Sequence, residues 1–212
     1  MSTNKIAAAL VIALALVAPG AASVEGFAVR LGYLKVNPES DNGRLAGAYD
    51  AEVDDDWSTT IGLSYFFGPN LAVDLQTAIS QYEQDISLTG GATGLPTLND
   101  ANLVAVEHRP TVVQVQWHFA PGEQISPYAG VGYGFTSVKV ARNDTGLGVL
   151  DTDNADGFAI EGGVDINFEN NLFVRGSVQY LQFETDVTLG GADIGTVDVN
   201  PWIYGVSVGY RF

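Results

Sequence analysis

The two histidines are the residues of this chain best suited to acid–base chemistry, because an imidazole exchanges a proton near neutral pH. His108 has Glu107 beside it, but no serine lies near it in the chain. A nucleophilic hydroxyl would have to come within hydrogen-bond reach of the ring. His118 lies in an alternating segment close to aromatic residues, where packing is the expected role. The sequence therefore predicts that the protein is not an enzyme.

Acidic side chains crowd two segments that could offer oxygen ligands to calcium or magnesium. They are Asp50, Glu52, Asp54, Asp55 and Asp56 in the first segment, and Asp151, Asp153 and Asp156 in the second. The second segment resembles an EF-hand loop, but Ala155 occupies a ligand position and Gly157 is displaced. Solvated surface charge explains these residues better than a defined site. We expect no bound metal and no cofactor.

Charge and cysteine content exclude two further classes. The chain of 212 residues has 25 acidic and 9 basic side chains, which gives a net charge of −16 at pH 7. Nucleic acid is not an expected partner, because its binding requires cations that neutralise phosphates. With no cysteine in the chain, a disulfide framework and cysteine-ligated metal are excluded as well.

The elements that position these side chains are predicted to be strands, because large apolar residues alternate with small or polar ones. The alternation is clearest from Trp202 to Phe212, where aromatic residues stand at both ends of the apolar face. A period of two describes a strand with one apolar face. Aromatic residues at both ends of such a face are typical of the two interfaces of a lipid bilayer. Tyr210 and Phe212 therefore predict a C-terminal strand that inserts into a membrane.

Seven further segments show the same period, and the connections between them alternate in length. The segments are about 27–36, 57–67, 71–80, 104–119, 127–140, 157–168 and 172–180. The short connections are 68–70, 120–126 and 169–171, and the long ones are 37–56, 83–103, 142–156 and 184–199. Short periplasmic turns and long outer loops are the pattern of outer-membrane barrels.

The strand count predicts an all-β fold, an eight-stranded antiparallel up-and-down transmembrane β-barrel with both termini periplasmic. An even number of strands closes the sheet without an unpaired edge, which lipid would not tolerate. The alternative is a soluble lipocalin-like barrel, which should carry its large apolar residues inward.

The N-terminal segment has the features of a secretory signal peptide. Lys5 precedes an apolar run from Ile6 to Val17, and small residues follow up to Ser23. The run is shorter than the roughly 20 residues that span a bilayer. We predict a signal peptide over 1–22, with cleavage after Ala22 or Ser23, and a barrel over 24–212. Removal of Lys5 leaves 8 basic and 25 acidic residues, a mature net charge of −17.

Short fragments spread in order over the mature chain carry a family resemblance. They are Phe27 to Gly32, Gly62 to Tyr65, Asn70 to Leu75, Arg109 to Thr111, Gln116 to Phe119, Pro127 to Gly132, Gly163 to Asp165, Asn200 to Trp202 and Val208 to Phe212. In this order and spacing they resemble the OmpW-type outer-membrane proteins. The resemblance implies a narrow eight-stranded barrel that passes small hydrophobic molecules.

The resemblance also implies an apolar pocket in the outer half of the lumen, narrowed by side chains of the third and seventh strands. The corresponding residues here are Gln76 and Gln179. Both are amides, which offer hydrogen bonds where an apolar lining is expected. Either the permeant is more polar here, or other residues build the pocket.

The faces of the strands assign a set of charged residues to the lumen. They are Arg30, Asp74, His118, Glu161, Asp165, Arg175 and Arg211. Eight strands leave room for little besides side chains, so we expect internal ion pairs that plug the lower barrel. The alternative is a charged constriction that selects permeants.

The sequence thus predicts a barrel in the outer membrane of a Gram-negative-type envelope that allows passive passage of small, mainly hydrophobic solutes. A packed lower lumen would suit sideways release into the membrane. The expected partners are the lipid bilayer, lipopolysaccharide, the outer-membrane assembly machinery and the solutes themselves. The alternative function is a structural or adhesion barrel whose long loops bind partners while the lumen conducts nothing.

Overall fold

Alternating side chains build an almost entirely β structure in the computed structural model, which describes residues 25–39, 42–91, 97–146 and 148–212. The described residues form β1 (Glu25–Asn37), β2 (Arg44–Leu45), β3 (Tyr49–Val53), β4 (Asp56–Phe67), β5 (Leu71–Ala78), β6 (Tyr82–Gly90), β7 (Leu98–His118), β8 (Ile125–Asn143), β9 (Leu150–Thr152), β10 (Ala155–Asn167), β11 (Leu172–Leu181), β12 (Glu184–Leu189), β13 (Ala192–Asp198) and β14 (Trp202–Arg211). The predicted signal peptide over 1–22 lies outside the described residues. No helix in the described ranges is long and apolar enough to span a bilayer.

Eight of these strands close into an antiparallel barrel. Their order around the wall is β1, β4, β5, β7, β8, β10, β11 and β14, and β14 pairs with β1. The register joins outward residue to outward residue, as in the pairs Val29 with Leu63 and Leu31 with Val208. The predicted eight-stranded barrel is confirmed.

The apolar side chains point away from the barrel axis. Val131 and Val206 are 64% and 60% exposed, and Leu75 lies on the same outward face. Such a continuous apolar exterior is stable in hydrocarbon and not in water. The soluble lipocalin-like alternative is wrong, because it requires these residues to point inward.

Two rings of aromatic side chains bound the apolar belt. At one end Tyr33 stacks on Trp57 with ring centroids 5.0 Å apart, and Tyr180 contacts Trp202. The other end carries the contacts Phe27–Tyr65, Tyr65–Phe67 and Tyr210–Phe212. We call these the outer ring and the inner ring, after the long and the short connections beside them. They mark the two bilayer interfaces.

The long connections, which the alternation of connection lengths predicts as outer loops, contain further strands. Strands β2, β3, β6, β9, β12 and β13 lie within them, and β7 and β8 extend past the outer ring. In these parts the outward side chains are polar and not apolar, because the outer face of the wall meets water. In β6, for example, Tyr82 and Gln84 are buried and Glu83 is exposed.

The additional strands raise the wall above the outer ring. Strand β3 pairs with β6, while β9, β12 and β13 form a separate three-stranded sheet. Backbone bonds join the two parts, since Ala46 N donates to Ile194 O at 2.6 Å and Asp198 N donates to Asn42 O at 3.1 Å. The result is an enclosed vestibule on the side of the long connections.

Candidate functional site

A bidentate ion pair fills one side of the lower lumen. The guanidinium of Arg30 donates to both carboxylate oxygens of Asp74, with Nη2 2.6 Å from Oδ2. Ser64 Oγ donates to Asp74 Oδ1 at 2.5 Å, and Arg30 Nη2 also donates to Gln76 Oε1 at 2.9 Å. Gly62 leaves the space for the guanidinium, because a Cβ there would lie 2.6 Å from Arg30 Cζ.

A second ion-pair group fills the opposite side. Arg175 donates to Asp165 through Nε at 2.6 Å and Nη2 at 3.0 Å, and through Nη1 to Gln116 Oε1 at 3.2 Å. Arg211 Nη2 donates to the same Asp165 Oδ2 at 3.3 Å. The guanidinium of Arg175 lies 4.0 Å from the ring centroid of Tyr128. One carboxylate therefore neutralises two arginines.

A buried carboxylate, Glu161, forms the upper layer of the polar lumen. Tyr128 Oη and Gln114 Nε2 each donate to it, and Gln179 Nε2 donates to its Oε2 at 3.1 Å. The remaining predicted lumen residue, His118, is buried against the ring of Tyr128 with Nδ1 3.8 Å from Asp165 Oδ2.

The two ion-pair groups and the layer around Glu161 make up what we call the plug. Their buried side chains fill the lower barrel. Asp74, Gln116 and Asp165 have no solvent exposure, and Arg175 is 1% exposed. Charges buried this deeply are stable only when paired and hydrogen-bonded. The plug thus has the structure of a seal.

An apolar pocket opens above the plug. Its floor is a cluster of buried side chains that includes Leu34, Val36, Leu181, Phe183 and Ile203. The pocket and its open mouth contain about 690 Å³ of space free of atoms, of which about 60 Å³ is open to the centre of a water-sized sphere, and Val106, Val138 and Val199 are among the residues of its wall. A second apolar cavity, with about 700 Å³ and about 70 Å³ on the same two measures, continues outward from it. The two share Ile86, Val106, Thr152, Val187 and Val197 in their walls.

Phe183 enters the pocket because a glycine lies opposite. A Cβ at Gly134 would lie 2.8 Å from Phe183 Cζ. Phe183 follows the end of β11, and its amide N donates to Asn200 Oδ1 at 3.1 Å. The floor is therefore set by the chain between β11 and β12.

The glutamines predicted to narrow the pocket belong to the plug. Gln179 is buried and bonded to Glu161, while Gln76 is half-buried and bonded to Arg30. Neither lies in the wall of the two cavities. Sequence reasoning missed the residues that do, because many of them belong to segments interpreted as loops. The alternation of Thr185 and Val187 with Glu184 and Asp186 was the available signal.

His108 lies in the pocket wall, above the outer ring. Its ring stacks on Tyr82 with centroids 5.1 Å apart. Burial lowers the pKa of His108 to about 4, so the imidazole is neutral at pH 7. Among the described residues, His108 Nε2 has no hydrogen-bond partner, which gives a Ser–His–carboxylate site no geometric support here.

The mouth of the vestibule, which we call the acidic rim, has the exposed carboxylates Asp50, Glu52, Asp144 and Asp151 and carries exposed ion pairs. Arg44 Nε lies 3.3 Å from Asp50 Oδ1, and Arg142 Nη2 lies 2.6 Å from Asp85 Oδ1. In the described part of the chain, no three His, Cys, Asp or Glu side chains group in a way that could hold a metal ion.

A closed eight-stranded barrel with a lipid-facing exterior, a charged plug and an apolar vestibule defines an outer-membrane barrel with an apolar pocket. The chain belongs to the OmpW family, whose model matches residues 25–212.

Individual relatives agree with this assignment. Outer membrane protein W of Vibrio cholerae is 30% identical over 207 residues, which cover 92% of this chain and 93% of that protein. Outer membrane protein AlkL of Ectopseudomonas oleovorans is 28% identical over 178 residues, 80% of this chain and 72% of that protein. The crystal structure of OprG from Pseudomonas aeruginosa matches with a TM-score of 0.72 and 23% identity over 89% of this chain and 96% of that one, which supports the fold.

Proposed function

We propose that the protein is a passive entry site for small, mainly hydrophobic solutes, which leave water in the apolar vestibule and its pocket. The observation that carries this proposal is the outward-facing pocket, whose wall is almost entirely apolar and whose floor lies on the plug. Transfer of apolar surface out of water drives entry at about 25 cal/mol per Å².

Filling the pocket tests the proposal. Val138→Trp places an indole in the pocket wall, whereas Val131→Trp places the same group on the lipid-facing surface. If filling raises the entry barrier by about 1.4 kcal/mol, uptake of a hydrophobic solute falls about tenfold. The measurement is solute uptake by cells or proteoliposomes that carry equal amounts of each variant. Equal uptake by wild type, both variants and barrel-free controls would refute a conduit function.

We propose further that solutes leave sideways, through the seam between β8 and β9. The ladder of β8 with β10 ends at the pair Thr136–Ala155, and β9 pairs with β12. The wall of the pocket includes residues from both sides of the seam, Val138 on β8 and Thr152 on β9. The plug beneath the pocket supports an exit through the wall.

A short cross-link across the seam tests lateral release. Ser137→Cys with Asp153→Cys, joined by a bis-maleimide, should lower solute uptake while binding in the pocket persists. Asp186→Cys with Thr196→Cys is the matched control, because these residues already pair across β12 and β13. Undiminished uptake through the sealed seam would exclude this route.

Lipopolysaccharide is a proposed lipid partner at the outer interface. Arg109 and Lys139 lie exposed on the neighbouring strands β7 and β8, and neither forms an ion pair among the described residues. Glu107 lies opposite Lys139 in the strand register but forms no ion pair with it. Two such cations suit the phosphates of a lipid A headgroup. Lipopolysaccharide should raise the unfolding temperature of the wild-type barrel in nanodiscs, and an equal rise in the Arg109→Gln, Lys139→Gln double variant would contradict the contact.

The export and orientation of the chain are proposals of the same kind. Residues 1–22 act as a signal peptide, and β14 with Tyr210 and Phe212 is the segment that the outer-membrane assembly machinery recognises. The inner ring and the two ends of the described chain, Glu25 and Phe212, lie on the side of the short turns, which supports periplasmic termini. Protease access to a C-terminal tag in intact cells would contradict this orientation.

A structural or adhesion role is the second candidate. Paired strands β2, β3, β12 and β13 hold the acidic rim in place, as a binding surface for a partner would require. The uptake measurement separates the two roles, since an adhesion barrel would show no dependence on the pocket.

A further inference from the structure

Three buried polar atoms interrupt the otherwise apolar wall of the pocket. His108 Nε2, Thr136 Oγ1 and Thr152 Oγ1 are buried and have no hydrogen-bond partner in the part of the chain that the structure describes. Other polar residues of the wall are satisfied. Gln84 Nε2 donates to Asp54 O at 2.7 Å, and Thr185 Oγ1 donates to Asp153 O at 2.8 Å.

The three atoms belong to one side of the pocket. Their strands are β7, β8 and β9, and the register places His108 opposite Val138, two residues from Thr136. Thr136 in turn pairs with Ala155, three residues after Thr152. The rest of the wall includes Val36 on β1 and Ile203 on β14, which are apolar.

We propose that the pocket selects neutral amphiphiles, an inference that rests on the proposed function. The hydrocarbon body of such a solute lies against the apolar wall, and its single hydroxyl or carbonyl bonds to His108, Thr136 and Thr152. A hydroxyl both donates and accepts, so it can bond to a threonine hydroxyl and to either form of the imidazole nitrogen. A pure hydrocarbon leaves the three buried groups without hydrogen bonds, whereas a solute with a polar group can form hydrogen bonds with them.

Charge directs the choice toward neutral solutes and away from carboxylates. None of the described residues that line the pocket is a lysine or arginine. The imidazole of His108 is uncharged at pH 7 because burial lowers its pKa to about 4. A carboxylate would have to pass the acidic rim and then lie in an apolar pocket without a cation, which is unfavourable.

A matched series of solutes tests the inference at pH 7. Naphthalene, 2-naphthol and 2-naphthoate share one ring system and differ in carrying no polar group, a hydroxyl or a charge. Dissociation constants are measured by equilibrium dialysis against the barrel in nanodiscs, with empty nanodiscs as the blank. We expect 2-naphthol to bind about tenfold more tightly than naphthalene, the effect of one buried hydrogen bond, and 2-naphthoate to bind most weakly.

Two variants locate the preference. Thr136→Val keeps the shape of the side chain, and His108→Phe keeps a ring that can stack on Tyr82. Each should weaken 2-naphthol binding and reduce the difference in affinity between 2-naphthol and naphthalene. Thr185→Val is the control, because that hydroxyl lines the same pocket but bonds to a backbone carbonyl. Heat-modifiable migration in gels verifies that each variant is folded.

The outcomes separate this inference from the proposed function. Saturable binding of all three solutes with equal affinity, or tightest binding of 2-naphthoate, would overturn the selection and leave the hydrophobic pocket in place. A preference for 2-naphthol that persists in Thr136→Val and His108→Phe would also overturn it. Saturable binding of none of the solutes would overturn the proposed function together with the inference.

Discussion

The lower barrel contains buried charged groups, whereas the wall of the upper pocket contains none among the described residues. In the plug, each buried arginine and aspartate faces an opposite charge, as Arg30 faces Asp74 and Arg175 faces Asp165. In the pocket, the polar atoms of His108 and Thr136 face apolar space. An antiparallel wall can therefore enclose a charged interior at one end and an apolar interior at the other.

Removing the central carboxylate of the plug should have the largest effect. Asp165→Asn leaves Arg175 buried without its counter-charge, so we expect a loss of about 3–5 kcal/mol in the free energy of unfolding. Denaturant unfolding in detergent measures it. Asp50→Asn is the control, because its pair with Arg44 is exposed and such pairs contribute about 0–1 kcal/mol. Equal losses in the two variants would show that the plug does not depend on charge pairing.

Neutralising Glu161 should have a smaller effect than neutralising Asp165. In Glu161→Gln an amide nitrogen replaces one of the two oxygens that accept from Tyr128, Gln114 and Gln179, at a cost of about 1–3 kcal/mol. Glu161 bonds to neutral groups only, so no cation is left unpaired. The same unfolding measurement compares the two variants. A larger loss for Glu161→Gln than for Asp165→Asn would contradict the greater stabilisation that we assign to the Asp165 ion pair.

The pH response of His108 should be confined to acid pH and should arise in the pocket. Its pKa is about 4 in the folded barrel and near 6.5 in an unfolded chain. The unfolded chain therefore binds more protons between these values, so the stabilisation is present at neutral pH and is lost as the pH falls from about 6.5 to about 4. NMR of the His108 ring carbons, assigned with His108→Phe, should give a midpoint near 4. A midpoint near 6.5 would mean that the ring is solvated.

The membrane-spanning part was predictable because lipid imposes its chemistry on every second residue. Runs such as Trp202 to Phe212 show the strands, the two faces and the charged lumen. Which charged side chains form ion pairs within the lumen was not predictable. The stagger of the strands decides that Arg175 pairs with Asp165 and Arg30 with Asp74.

The vestibule was missed because its strands meet water outside and a mixed interior inside. In β6 the inward residues are Tyr82, Gln84 and Leu88, which do not form a uniform apolar series. The pocket wall therefore contains residues that the sequence pattern alone assigns to loops. Gln76 and Gln179 were selected for the pocket by resemblance, and the structure places them in the plug.

The position of a bound solute would show whether the apolar pocket is the binding site. A structure of the barrel with 6-bromo-2-naphthol would locate the bromine by its anomalous scattering. We expect bromine in the apolar pocket above Leu34 and Ile203, with the hydroxyl toward His108 and Thr136. Bromine among Arg30, Asp74 and Arg175, or only on the lipid-facing surface, would contradict this expectation.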